Sequence, residues 1–221
     1  HGGAVEIGGR TRVAAVLGWP VEHSRSPAMH NAAFAACAID AVMVALAVPP
    51  DRLPAALHGL AAAGLLGASV TIPHKAAAAA ASDTLTPIAA RIGAVNCVRF
   101  ADGRVAGDNT DVGGFVDAVR AELPRLGELA GRRAVLLGAG GAARAVAAGL
   151  ADAGVDVTVV ARDPGRVAWI AAAPWSSLPS TLASCELLVD CTSVGLDAAS
   201  DDAAWATAPV PIEQLGAAAA V

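Results

Sequence analysis

An α/β protein of two domains in series is what the sequence predicts, on three observations. Short β-branched runs alternate with alanine-rich helical stretches along the chain, a pattern that implies βαβ units and parallel strand pairing. The alternation restarts after a Pro- and Gly-bearing stretch at residues 124–131, which reads as the junction. The restart runs strand, glycine-rich turn, helix, the opening of a Rossmann-type dinucleotide-binding domain. The expected fold class is therefore α/β: an N-terminal α/β domain with a mainly parallel sheet over residues 1–110, and a C-terminal Rossmann-type domain over residues 111–221.

Each element has its own signal. Residues 13–17 are apolar and β-branched and read as a strand. Ser26-Pro27 then opens a helix, with the serine as cap and the proline, whose missing N–H costs nothing there, in the first turn. Residues 41–48 form a second strand, 52–63 a helix and 68–72 a third strand. Strands over 95–100 and 104–106 flank Asp102-Gly103, a dipeptide suited to a tight hairpin turn. An amphipathic helix runs from Asp111 to Leu123. The second domain follows with strand 134–137, helix 142–153 and strands 155–160 and 187–191. Roughly 26 residues separate its last two strands, tight for a helix, a strand and another helix. A further strand is expected where the chain stops near residues 217–221, so missing segments are expected in this tail.

Composition narrows the function classes. Apolar residues make up 55% and mean hydropathy is +0.55, but much of this is alanine. No run approaches the ~20 strongly apolar residues of a membrane span. The N-terminus lacks the basic-then-apolar pattern of a signal peptide, so a cytoplasmic protein is expected. A net charge of −5 with 3% aromatics offers neither a phosphate-neutralising patch nor a stacking platform for nucleic acid. The four cysteines form no C-x-x-C pair and the five histidines no metal-binding spacing; no metal is expected. The sequence leaves the oligomeric state open between monomer and homodimer.

Of the 15 basic residues, one, Lys75, is lysine. Arginine serves wherever a surface charge suffices, but only lysine can give up its proton when its surroundings ask for it. The surviving lysine is thus a candidate for chemistry, with chance survival as the alternative.

The glycine-rich turn is Gly138-Ala139-Gly140-Gly141-Ala142-Ala143. One glycine permits the tight turn, the next lets backbone approach a pyrophosphate, and Ala143 permits close helix packing. Helix N-terminal amides then face the phosphates. At the end of the next strand an acidic residue would hold the ribose of NAD. Here Arg162 comes first and Arg166 four residues later, a pair able to clamp the 2′-phosphate of NADP. Asp163 between them keeps NAD open.

Four further segments belong together: residues 18–31 (GWPVEHSRSPAMHN), 70–75 (VTIPHK), 93–96 (GAVN) and 107–111 (GDNTD), followed by the turn at 138–143. In this order they resemble the shikimate dehydrogenase family over nearly the whole chain. The resemblance implies an NADPH-dependent, reversible reduction of 3-dehydroshikimate to shikimate in aromatic amino-acid (chorismate) biosynthesis. It leaves two rivals: an NAD-dependent quinate/shikimate dehydrogenase and a non-catalytic sensor of pathway metabolites.

The resemblance also implies roles. Ser24 and Ser26 match serines that hold the substrate carboxylate; two hydroxyls at i and i+2 of an extended segment point to one side. Thr71, Asn96 and Asp111 match residues that bind the ring hydroxyls. Lys75 and Asp111 match the catalytic pair, the lysine supplying a proton to the ketone oxygen while hydride reaches its carbon. For the cofactor, Gly138, Ala139, Gly140, Gly141, Ala142, Arg162 and Arg166 are joined by Thr192, Ser193 and Val194 beside the nicotinamide. Departures are plain. The family's Asn-Arg-Thr is Ala161-Arg162-Asp163, its Asn-x-Thr-x-x-Gly-Met begins here with Asp190 and ends with Leu196, and its last helix with a substrate-binding Gln has no counterpart before Val221.

Overall fold

The computed structural model describes residues 7–192. They fall into two compact units, one ending at Thr110 and the other beginning at Asp111.

The first unit carries strands β1 (Arg12–Gly18), β2 (Ala41–Ala47), β3 (Gly67–Val70), β4 (Thr84–Leu85), β5 (Cys97–Ala101) and β6 (Arg104–Asp108). Its helices are α1 (Ser26–Ala36), α2 (Leu53–Ala62), α3 (Lys75–Ala81) and α4 (Pro87–Ile92). The strands form one sheet in the order β2-β1-β3-β5-β6-β4. β1 pairs in parallel with β2 and β3, and β4 with β6; β5 alone runs against its neighbours. The reversal comes from the hairpin at Asp102 and Gly103, both in the left-handed region at φ 53° and 71°, the backbone such a two-residue turn requires. Leu17, Leu53, Leu57, Val95, Val98 and Val105 fill the core between sheet and helices.

The second unit carries α5 (Asp111–Glu122), β7 (Arg133–Leu137), α6 (Gly141–Asp152), β8 (Asp156–Ala161), β9 (Ala172–Pro174), α7 (Leu178–Leu182) and β10 (Leu187–Asp190). Its sheet is all parallel in the order β10-β7-β8-β9, the 3-2-1-4 order of a Rossmann half. Alternation along the strands sends Ala134, Leu136, Val159 and Leu187 into one core and Val135, Leu137, Val160 and Leu188 into the other. A parallel sheet covered on both faces needs this continuous apolar run.

Several expectations change. Residues 124–131 are not the junction: the units divide between Thr110 and Asp111, and Leu126 and Leu129 lie buried in the second unit's core, because two leucines in a short loop gain more by packing than by exposure. The third strand stops at Val70 rather than residue 72, ending where the chain turns at Thr71. α2 starts one residue later, after a 3₁₀ turn at Pro50–Arg52. Ser26 is the first residue of α1 rather than its cap; Arg25 stands at the cap position with no side-chain bond. α3, β4 and α4 are additions to the expected elements: the alanine run of α3 has no apolar–polar periodicity, and β4 and α4, at 2 and 6 residues, are too short to show one. The tight connection between β8 and β10 is closed by reduction: a 3₁₀ turn at Pro164–Arg166 replaces the first helix, and β9 and α7 span only 3 and 5 residues. The tail beyond Thr192, with Ser193, Val194 and Leu196, lies outside the described residues. Among the described residues no helix is long and apolar enough to cross a membrane.

Candidate active site and dinucleotide turn

The first unit's candidate residues share one sheet edge. In register, Gly18, Ala47, Val70, Cys97 and Asp108 stand close to one line at the C-terminal ends of β1, β2, β3 and β6 and the start of the reversed β5. The next residues outward include Thr71 and Asn96. The carboxyl edge is where open α/β sheets bind ligands, because loops leaving it are free of pairing.

Backbone bonds hold this rim. Thr71 N–H donates to Leu17 O at 2.9 Å, and His74 N–H to Thr71 O at 2.9 Å. Gly18 is required here by close approach: a Cβ on it would come within 2.7 Å of the Thr71 methyl carbon. His74 is buried, with Nε2 2.8 Å from the O of Val48, the residue after β2. Lys75 begins α3 directly after it, and its carbonyl accepts the Val95 N–H at 2.9 Å. The lysine backbone is therefore tied to the segment leading into Asn96.

Asn96 is clamped to Thr110. Its Nδ2 donates to Thr110 Oγ1 at 2.9 Å and its Oδ1 accepts the Thr110 N–H at 2.9 Å. Buried Asn109 donates from Nδ2 to Ala94 O at 3.1 Å. Asp108 Oδ1 accepts from Thr86 Oγ1 at 2.6 Å and from Asn109 N–H at 2.7 Å. Sequence reasoning picked Asp111 out of the 107–111 segment and missed these three; side chains aimed at backbone carbonyls and amides leave no spacing to read. Partial desolvation first, and the Asp108 carboxylate second, push the Cys97 thiol up from its ordinary value, which disfavours the nucleophilic thiolate. Burial does the same to Cys185. Ser24 and Ser26 lie where the chain enters α1, and Ser24 Oγ accepts the Ser26 N–H at 3.3 Å.

In the second unit Asp111 is the first residue of α5. Gly138 follows β7 directly with φ 92°, and a Cβ there would lie 3.1 Å from Cys191 O, so the turn accepts glycine alone. Gly140 caps α6, Gly141 starts it, and Ala143 is fully buried beneath the helix. This cradle, open where a Cβ on Gly140 would meet nothing within 4 Å, fits a dinucleotide pyrophosphate. Arg162 is exposed after β8; Arg166 pairs with Asp163, Nε to Oδ2, at 3.5 Å. Asp190 Oδ1 accepts the Thr192 N–H at 2.8 Å, using the acceptor an asparagine would also supply. Among the described residues no group of His, Cys, Asp or Glu could hold a metal.

Sheet order, turn and strand-edge residues define an α/β protein of two units, the second of the Rossmann class. Residues 16–98 match the family model described as the shikimate dehydrogenase substrate binding domain. The chain is 48% identical over 197 residues to a shikimate dehydrogenase (NADP(+)) of Gluconobacter oxydans, covering 86% of this chain and 69% of that protein. It is 48% identical over 206 residues to one of Rhodospirillum rubrum, covering 86% and 72%. A shikimate dehydrogenase structure from Aquifex aeolicus superposes with TM-score 0.80 at 32% identity, covering 88% and 74% of the two chains. One from Thermus thermophilus, in complex with NADP(H) and shikimate, gives TM-score 0.73 at 40% identity, covering 84% and 70%. The chain belongs to the shikimate dehydrogenase family.

Proposed function

We propose that this chain catalyses the reversible NADPH-dependent reduction of 3-dehydroshikimate to shikimate. The observation that supports the reading is the set of backbone bonds tying the Thr71, Lys75 and Asn96 segments to one sheet edge, in a family whose relatives are named for this activity. Residues 1–110 take the substrate and residues 111–221 the nucleotide, a division supported by the substrate-binding family match over 16–98. NADPH supplies the hydride when bound. The protein's own share is to hold the substrate and deliver a proton. Ser24 and Ser26 hydroxyls donate to the carboxylate, and Thr71 and Asn96 bind ring hydroxyls. Lys75 Nζ donates a hydrogen bond to the ketone oxygen, stabilises the charge that develops there and passes it a proton. Asp111 is the second member of the proposed catalytic pair and binds a substrate hydroxyl. The Gly138–Gly141 turn receives the pyrophosphate on backbone amides, Arg162 and Arg166 take the 2′-phosphate, and Thr192, Ser193 and Val194 flank the nicotinamide. Retention of Lys75 and Asp111 speaks against a sensor, and Arg162 against an NAD-dependent quinate enzyme. Four free cysteines suit a reducing cytoplasm.

The test is turnover of 3-dehydroshikimate followed by NADPH absorbance, with NADH in parallel. The expected result is activity with NADPH at least about tenfold above NADH in kcat/KM. No turnover with either nucleotide overturns the reading.

A further inference from the structure

The shortened connection after β8 does something the glycine-rich motif does not announce. It delivers Trp169 onto the turn: the indole Nε1–H donates to Ala139 O at 3.2 Å. The Arg144 guanidinium, from the first turn of α6, lies over the same ring at 5.8 Å, within cation–π range.

Ala139 C=O and Gly140 N–H belong to one peptide. In a planar trans peptide the carbonyl and the amide hydrogen point in opposite directions. Fixing the carbonyl toward Trp169 therefore turns the Gly140 N–H away from it. That amide donates no backbone bond among the described residues, so it stays available to a ligand. With glycine at 140, whose φ is free on both sides, this peptide has reduced steric resistance to flipping. A flip would present the carbonyl where the amide should be, an acceptor facing a phosphate.

We propose that Trp169 is a positioning residue for the dinucleotide: its N–H locks the Ala139–Gly140 peptide with the amide facing the pyrophosphate, and Arg144 on the ring holds the indole in place. The inference rests on the proposed nucleotide site. It concerns the pyrophosphate, which NADPH and NADH share, so it predicts no change in the preference between them.

Trp169→Phe removes the donor and keeps a ring under Arg144. Dissociation constants for NADPH and NADH, measured by titration of the whole chain, should both rise about three- to tenfold, the range expected for one lost hydrogen bond. Their ratio, kcat at saturating nucleotide and KM for shikimate should stay within about twofold. The Gly140 amide resonance of the free protein should shift, a signature that a general loss of stability would not give. Should the variant melt early, the titration is made below its transition, and the resonance decides. Unchanged affinities with an unmoved Gly140 resonance overturn the proposal, as does a loss confined to NADPH. A wild-type chain that binds neither nucleotide overturns the nucleotide reading itself and this inference with it.

Discussion

The Asn96 side chain grips Thr110 at two points, donating to its hydroxyl and accepting its amide, both at 2.9 Å. Thr110 is the residue before Asp111. The side chain expected to bind a substrate hydroxyl thus also fixes the approach to the proposed catalytic carboxylate. Asn96→Ala should remove both bonds, costing about 1 kcal/mol of stability because the pair is exposed. Function should suffer more than stability, with kcat falling as well as KM rising. Chemical denaturation beside steady-state kinetics checks this, and a pure KM effect would detach the clamp from catalysis.

Lys75→Arg keeps the charge but cannot deliver a proton at physiological pH. Turnover should fall by about two to four orders of magnitude, the usual contribution of a positioned acid, with KM for shikimate changed far less. In shikimate oxidation the lysine must accept the hydroxyl proton, so the arginine variant should lose oxidation as well as reduction. A Lys75→Arg enzyme with near-normal kcat assigns the proton transfer to another group.

Each hydroxyl of the Ser24 and Ser26 pair is expected to bond a carboxylate oxygen, worth about 1–3 kcal/mol for a charged acceptor. Alanine at either position should raise KM for shikimate and leave KM for nucleotide alone. Ser24→Ala should be the costlier, because its oxygen also accepts the Ser26 amide. Equal KM values in wild type and both variants would place the carboxylate elsewhere.

Arg162 is exposed, whereas Arg166 is engaged with Asp163. Arg162 should therefore carry most of the preference for a 2′-phosphate. Arg162→Ala should weaken NADPH by about one to two orders of magnitude and NADH hardly at all. Asp163→Thr should tighten NADPH modestly by removing a repelling charge and releasing Arg166. Equal weakening of both nucleotides by Arg162→Ala would reduce the arginine to a loop-shaping role.

At the opposite end of the second sheet, Glu186 bonds Arg132 at 2.6 Å and the Arg133 amide at 3.1 Å. These bonds, Arg132 first, hold its carboxyl below the usual range. A lowered pKa in the folded state means stability that is present above the unfolded value, roughly pH 4.3, and lost as pH falls through the folded one. The gap in melting temperature between wild type and Glu186→Gln should be constant near neutrality and close in acid. A gap that persists in acid would make the residue's role steric.

Strands and the longer helices were legible because their residues are patterned by the layer they bury: the continuous apolar runs of β7 and β8 announce a sheet covered on both faces. The dinucleotide turn was legible because Gly138 must be glycine at φ 92° against Cys191 O. What escaped are contacts that depend on where the chain returns. Nothing in the spacing of His74 says that its ring meets Val48, and Trp169 reaches Ala139 only because the helix expected before it is a single 3₁₀ turn. The alanine run of α3 escaped for the opposite reason, having no pattern at all.

The reversed strand β5 has a consequence in time rather than in space. The parallel pair of β1 and β2 meets only after a helical crossover has formed, but Asn96 and Thr110 are 14 residues apart and joined by a two-residue hairpin turn. Hairpins close in about 1–10 μs, well ahead of long-range parallel pairing. The clamp that fixes the approach to Asp111 is therefore part of the most local piece of the unit, and its amides should gain protection in pulse-labelled exchange before those joining β1 to β2.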